Sequence, residues 1–267
     1  MIKIFAFTSN RSDLIELQLK SFRKHIQEEF TFTIFNSRKF DHDTTEYPKI
    51  NEECKRLGIP VFDVEKDDEL IARCNAAEPR FGVFNRGGFW SNNNCAGNYS
   101  ACYVWEKFMV KESGPVCLLH PDLFFIKPIK LTDYLKDTPL CFMPQTRPNL
   151  GGIHMHDALV LADMARLPEP EKIFWWGSKV NGIDTDIGGQ SFFYLQRHPE
   201  INPTLIQQWF REDDPTTDFH PSEYEDVGIN DEVVALHYLR ASNWNHRPEE
   251  YHVKKTAWIK KRLGLEG

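Results

Sequence analysis

His120-Pro121-Asp122 stands between two apolar runs, Val116 to Leu119 and Leu123 to Ile126. Each run has the length of a buried strand, and a histidine and a carboxylate placed between them are costly to bury without a partner. In extended backbone, residues i and i+2 project to the same side. His120 and Asp122 are therefore expected to leave the end of a central strand together, where an imidazole and a carboxylate can share one divalent cation. The competing description is a turn in which Asp122 accepts backbone hydrogen bonds and His120 is exposed.

Three other stretches carry chemically suggestive residues. Phe174-Trp175-Trp176-Gly177 runs into Asp184-Thr185-Asp186-Ile187-Gly188-Gly189-Gln190. Flat apolar rings beside carboxylates have the composition of a sugar site, with Trp175 and Trp176 as stacking faces and Gly188 and Gly189 letting an acceptor approach the backbone. The alternative is a tight turn in which Asp186 caps the next helix. His154-x-His156-Asp157 has ligand-type residues but no third ligand nearby, so it reads as the entry to a strand or helix. Residues 79–99 are rich in Gly and Asn, and Arg86 with Gly87-Gly88 could touch a phosphate, although taken alone a surface turn is the better account of them.

The elements that must position these groups alternate. Ile2 to Phe7 reads as a strand, followed by the polar turn Thr8 to Asp13 and an amphipathic helix through Phe22. Phe30 to Phe35 and Ile59 to Val64 read as further strands, with a helix at Glu52 to Leu57 between them. Asn98 to Val110 reads as a helix, Leu131 to Leu135 as a short one, and Leu140 to Met143 as a strand. Ser191 to Gln196 is helical and Glu232 to Leu236 strand-like. Residues 211–226, acidic and containing Pro215 and Pro221, read as a long exposed loop, and Tyr251 to Leu263 as a basic helix with a solvated face. Such alternation implies an α/β fold with a mainly parallel sheet flanked by helices. Ligands of open sheets of this class bind beyond the carboxyl ends of the strands, which directs attention to Thr8, Asn10, Arg11, Asn36 and Asp63.

With 267 residues, 41% of them hydrophobic, the chain can bury a sizeable core as one large domain. A formal net charge of -7 argues against a general nucleic-acid binder, which needs a basic footprint. Six cysteines without a C-x-x-C pair are expected to be free thiols. No apolar run reaches membrane-spanning length, and no cleaved signal is expected, so a cytoplasmic protein is the expectation.

Four segments, taken together and in order, resemble the GT-A glycosyltransferases, in particular small bacterial and viral-type members. They are Phe7-Thr8-Ser9-Asn10-Arg11, Leu119-His120-Pro121-Asp122-Leu123-Phe124, Asp186-Ile187-Gly188-Gly189-Gln190 with Phe193-Tyr194-Leu195, and His237-Tyr238-Leu239-Arg240-Ala241-Ser242-Asn243-Trp244. The resemblance implies a single GT-A-like domain over 1–267, with a nucleotide-sugar-binding half, 1–143, and an acceptor-binding half carrying a C-terminal metal and diphosphate segment, 144–267. It implies Mn or Mg, a nucleoside-diphosphate sugar donor and a glycan or glycoconjugate acceptor. Carried over by position, Asp122 is the last Asp of an Asp-x-Asp element and His237 completes the metal shell, while His120 departs from the usual Asp. Asp186, with Asp184 as substitute, takes the general-base position. Arg240, Ser242 and Asn243 supply cation and donors to the diphosphate, and Arg86 and Asn98 join the nucleotide-binding candidates. The basic C-terminal helix adds a peripheral membrane contact to the expected partners.

Two alternatives accompany this expectation. A sugar nucleotidyltransferase would share sheet and metal but should carry glycine directly after the first strand, where Thr8-Ser9-Asn10-Arg11 has none. A catalytically silent sugar- or nucleotide-binding protein on the same fold would account for the imperfect His-Pro-Asp element.

Overall fold

Alternate residues of the first strand, β1 (Ile2–Thr8), enter two different cores. Ile2, Ile4 and Ala6 pack with Ile15, Leu19 and Phe22 of the first helix, α1 (Asp13–His25). Phe5 and Phe7 join Tyr99, Val104 and Trp105 of α4 (Asn93–Lys107) on the opposite face. A strand apolar on both faces is the pattern of a central strand covered on both sides. The computed structural model describes residues 1–8, 11–39, 45–77, 93–210, 224–238 and 248–265.

Between α1 and α4 come β2 (Phe30–Asn36), α2 (Glu46–Leu57), β3 (Val61–Asp63) and α3 (Asp68–Ala76). The second helix ends where Gly58 takes φ 68°, a left-handed cap that suits glycine, and α3 starts where Asp67 accepts a hydrogen bond from the Leu70 amide at 2.8 Å. There follow β4 (Pro115–Leu119), β5 (Leu123–Phe125), β6 (Leu140–Thr146), β7 (Ile153–Asp163), the short β8 (Lys179–Val180) and β9 (Ile183–Asp184), and α5 (Ser191–Arg197). The chain continues through β10 (Thr204–Leu205), β11 (Gln207–Phe210), β12 (Glu225–Ile229), β13 (Glu232–His237) and α6 (Glu249–Arg262).

The main sheet has the order β10-β6-β7-β4-β1-β2-β3. Within it β1, β2, β3 and β4 are mutually parallel, β7 is antiparallel to β4 and β6, and β10 is parallel to β6. The expected α/β class, with a mainly parallel sheet flanked by helices, is what the chain forms. A second sheet, β11-β12-β13-β5, is antiparallel. The main sheet takes strands from both sides of residue 143, so the two halves share one core.

Two topological facts position the site. From β1 the chain proceeds to β2 and β3 on one side and only then crosses to β4 on the other, so the carboxyl ends of β1 and β4 flank a switch point, the place where open sheets form a crevice. The His120-Pro121-Asp122 turn also carries the chain from β4 in the first sheet into β5 in the second.

Several sequence expectations are corrected. Residues 153–163 form one long strand, one of the two forms expected for the His154-x-His156-Asp157 stretch, whereas α2 begins six residues earlier than its apolar pattern suggested, carrying Pro48 in its first turn where a missing amide costs nothing. Glu225 and Asp226, expected in an exposed loop, begin β12 and are buried; residues 211–223 lie outside those described. The C-terminal helix is not simply a solvated face, because His252, Lys255 and Ile259 are buried and the Lys255 ammonium donates to the Tyr238 carbonyl at 2.5 Å. Five of the six cysteines are free and buried; Cys95 falls where side chains are not described. Among the described residues no helix is long and apolar enough to cross a membrane.

Candidate metal centre

His120 leaves the end of β4 and Asp122 the turn that follows. Gln18 of α1, fully buried, donates from its amide nitrogen to the His120 carbonyl at 2.8 Å and to the Leu123 carbonyl at 3.0 Å. Ser21, one turn on, donates to the Phe125 carbonyl at 2.8 Å. Helix α1 thereby grips both sides of the turn. In β13, His237 pairs in register with Leu123, and the Tyr238 amide donates to the Asp122 carbonyl at 2.8 Å. Pairing of β13 with β5 is what carries His237, 115 positions downstream of Asp122, to the same point.

His120, Asp122 and His237 each offer a ligand atom, and these atoms lie within 4.8 Å of one another. His237 Nε2 is 3.3 Å and His120 Nδ1 3.8 Å from Asp122 Oδ1. Ligand atoms about 2.1 Å from a common ion and at right angles to each other stand about 3 Å apart, so a modest contraction would enclose a first-row cation. His120 is one-fifth exposed, while Asp122 and His237 are buried.

Around this trio stand further ionisable groups. His120 Nε2 meets Asp157 Oδ2 at 2.9 Å, and His237 Nδ1 lies 2.9 Å from Glu225 Oε2. His156 lies beside them, its ring 5.4 Å from that of His120 and its Nε2 3.9 Å from Asp157 Oδ1. Asp157 is fully buried, and apart from the His120 imidazole no side-chain donor lies within hydrogen-bond distance of its oxygens among the described residues. A buried carboxylate in that condition fits a centre designed to carry additional positive charge.

The electrostatics follow from this grouping. Burial works against charge on His237, but the Asp122 and Glu225 carboxylates outweigh it and push the imidazolium up to about 10. His120 is likewise raised, burial being overcome by Asp157 and then Asp122. For His156 burial prevails and lowers it to about 4, leaving a neutral ring. Burial would raise Asp157, yet the neighbouring His120 holds it below the usual carboxylate range.

Of the residues expected to contact a nucleotide, Thr8 ends β1 with its hydroxyl buried and without a hydrogen-bond partner among the described residues. Arg11 is buried, bonded to Asp13 at 2.7 Å and set over the Tyr238 ring at 5.2 Å. Asn36 is wholly buried and engaged within the fold, donating to Tyr47 O and Asn51 Oδ1 at 3.0 Å and accepting from the Arg38 amide at 3.1 Å. That corrects its expected ligand role. Asp63 accepts from the Tyr47 hydroxyl at 2.9 Å and pairs with Lys39 at 3.2 Å. Asn98 accepts from the Gly177 amide at 2.7 Å, so α4 anchors the loop after Trp176. Asn10, Arg86, Arg240, Ser242 and Asn243 lie outside the described residues.

The tryptophan and glycine assignments are also corrected. Trp175 and Trp176 are completely buried, with Trp175 edge-on to Trp105 at 5.4 Å, so their faces serve the core and not a pyranose. Gly188 has φ 84°, and a Cβ there would lie 1.9 Å from the Met155 carbonyl oxygen; one on Gly189 would lie 1.7 Å from Thr185 Oγ1. Gly188 seats the loop on β7 and Gly189 lets it close on its own Thr185, and neither opens the backbone to an acceptor. Asp186 stays partly exposed, 3.7 Å from Arg147, while Asp184 is exposed on the β8–β9 hairpin.

Sequence reasoning assigned no role here to Glu225, Gln18 or Asp157. Only Asp157 had left a signal, in His154-x-His156-Asp157; Glu225 was hidden among acidic loop residues. No protein-family model matches the chain, and no curated protein matches it. Among solved structures it is similar to mouse xyloside xylosyltransferase 1 in its apo form, at 10% identity over 75% of this chain and 84% of that one, with a TM-score of 0.42. A likeness of that degree carries no functional weight beside the site's own geometry.

Proposed function

We propose that this chain is a divalent-cation-dependent glycosyltransferase that moves a sugar from a nucleoside-diphosphate donor to a hydroxyl of a glycan or glycoconjugate. The observation that carries the reading is the meeting of His120, Asp122 and His237 at the carboxyl-edge switch point of a mainly parallel sheet. The sequence segments that resemble GT-A enzymes include all three residues.

In this reading His120, Asp122 and His237 hold the cation, and a mixed nitrogen and oxygen set favours manganese over magnesium. When bound, a divalent cation there offsets the negative charge that grows on the departing diphosphate. Thr8 and Arg11, at the end of β1, face the nucleoside, and Arg240 with Ser242 and Asn243 takes the diphosphate. Residues 1–143 serve the donor and residues 144–267 the acceptor. Asp186 is preferred to Asp184 as the base that takes the acceptor proton, because its loop is seated on β7 beside Met155, next to His156.

A panel of sugar nucleotides incubated with the protein and Mn²⁺ tests the reading. Slow release of nucleoside diphosphate from at least one donor is expected, abolished by chelator and by Asp122→Asn. Absence of both donor binding and release across the panel would overturn it.

A further inference from the structure

We infer that Glu225 and Asp157 are the positioning carboxylates of the centre, each fixing which nitrogen of one histidine ring faces Asp122. The inference rests on the cation reading of His120, Asp122 and His237.

A neutral imidazole carries its proton on either nitrogen, and the group bonded to one nitrogen decides which is left to bind a metal. The two rings here are set in opposite senses. His237 turns Nδ1 to Glu225 at 2.9 Å and leaves Nε2 toward Asp122 at 3.3 Å. His120 turns Nε2 to Asp157 at 2.9 Å and leaves Nδ1 toward Asp122 at 3.8 Å. Each ring thus places its free nitrogen on the Asp122 side and its carboxylate behind. Carboxylates behind metal-bound histidines lock the tautomer and raise ligand basicity.

The backbone explains why two separate carboxylates are required. Glu225 and His237 are directly paired across β12 and β13, so sheet register alone brings them together. His120 belongs to the other sheet, where its amide donates to the Ala158 carbonyl on β7, adjacent to Asp157. Both acids are unsuited to a direct role with substrate: Glu225 is 4% exposed and Asp157 0%. Buried carboxylates are costly to retain and require compensation, and the side chains that face Asp157 among the described residues include the imidazoles of His120 and His156.

The test is calorimetric titration of the full chain with MnCl₂, with ring ¹⁵N spectra of the Zn²⁺-loaded protein as a second readout. Glu225→Leu and Asp157→Leu should each weaken Mn²⁺ binding by about 10- to 100-fold. Glu225→Gln and Asp157→Asn, which keep an acceptor oxygen, should recover much of that loss. The spectra should place the remaining proton on Nδ1 of His237 and Nε2 of His120. Leucine variants that fold with unchanged melting temperature and bind Mn²⁺ like the parent would overturn the proposal, as would the reverse tautomer at both rings. If a leucine variant does not fold, the spectra of the unaltered chain decide. A parent protein that binds neither ion, or that binds them equally well after Asp122→Asn, would instead defeat the cation reading and this inference with it.

Discussion

Gln18 and His120, 102 positions apart, are joined by a 2.8 Å hydrogen bond from the Gln18 side-chain amide to the His120 carbonyl. The same nitrogen serves Leu123, so a single buried side chain in α1 holds a turn whose neighbours belong to two different sheets. Gln18→Leu takes a side-chain donor from both carbonyls, of which that of His120 keeps the Leu123 amide at 3.3 Å, and should cost about 1–3 kcal/mol in denaturant unfolding, the penalty of one buried group left unsatisfied. Cation affinity should fall with it. A leucine variant as stable as the parent would show that the turn is held elsewhere.

The metal-free centre should impress its charges on the pH dependence of stability. His237, raised to about 10 from an ordinary 6.5, contributes stability that is complete below about pH 6.5 and lost as pH rises through 10. His156, lowered to about 4, contributes in the opposite sense, its share being complete above pH 6.5 and lost as pH falls toward 4. In chelator, melting temperature should therefore peak near pH 6.5. Asp122→Asn should flatten the alkaline limb, because it removes the carboxylate that most favours the His237 imidazolium. An alkaline limb unchanged by that substitution would refute the assignment.

Residues 174–190 should respond to mutation as a packed structural loop. Trp175→Ala removes a fully buried ring and should cost about 3–5 kcal/mol. Gly188→Ala meets the Met155 carbonyl at a positive φ and should cost more than about 1 kcal/mol. Thermal unfolding reads both. If Trp175→Ala left stability intact and raised only the KM for a sugar acceptor, the stacking role would be restored.

Asp186 and Asp184 should separate in kinetics. Asp186→Asn should lower acceptor turnover by on the order of 10²-fold with donor affinity nearly intact, as expected when a proton acceptor is lost. Asp184→Asn, altering an exposed hairpin carboxylate, should leave turnover close to the parent's. Equal losses from both substitutions would place the base elsewhere.

What sequence alone determined is local and periodic. Alternation of apolar strands and amphipathic helices announced an α/β sheet, and the polar triplet between two apolar runs marked His120 and Asp122, although a turn closed by the Leu123 amide on the His120 carbonyl at 3.3 Å, and not the expected i, i+2 repeat of a strand, sets the two side chains. Tertiary structure decided everything that depends on register between distant segments. Pairing of β13 with β5 and with β12 brings His237 to Asp122 and Glu225 to His237. Antiparallel β7 next to β4 sets Asp157 against His120. The same packing withdrew Trp175, Trp176 and Asn36 from the roles their chemistry suggested, since a ring or an amide suited to a ligand is equally suited to a core, and only burial separates the two uses.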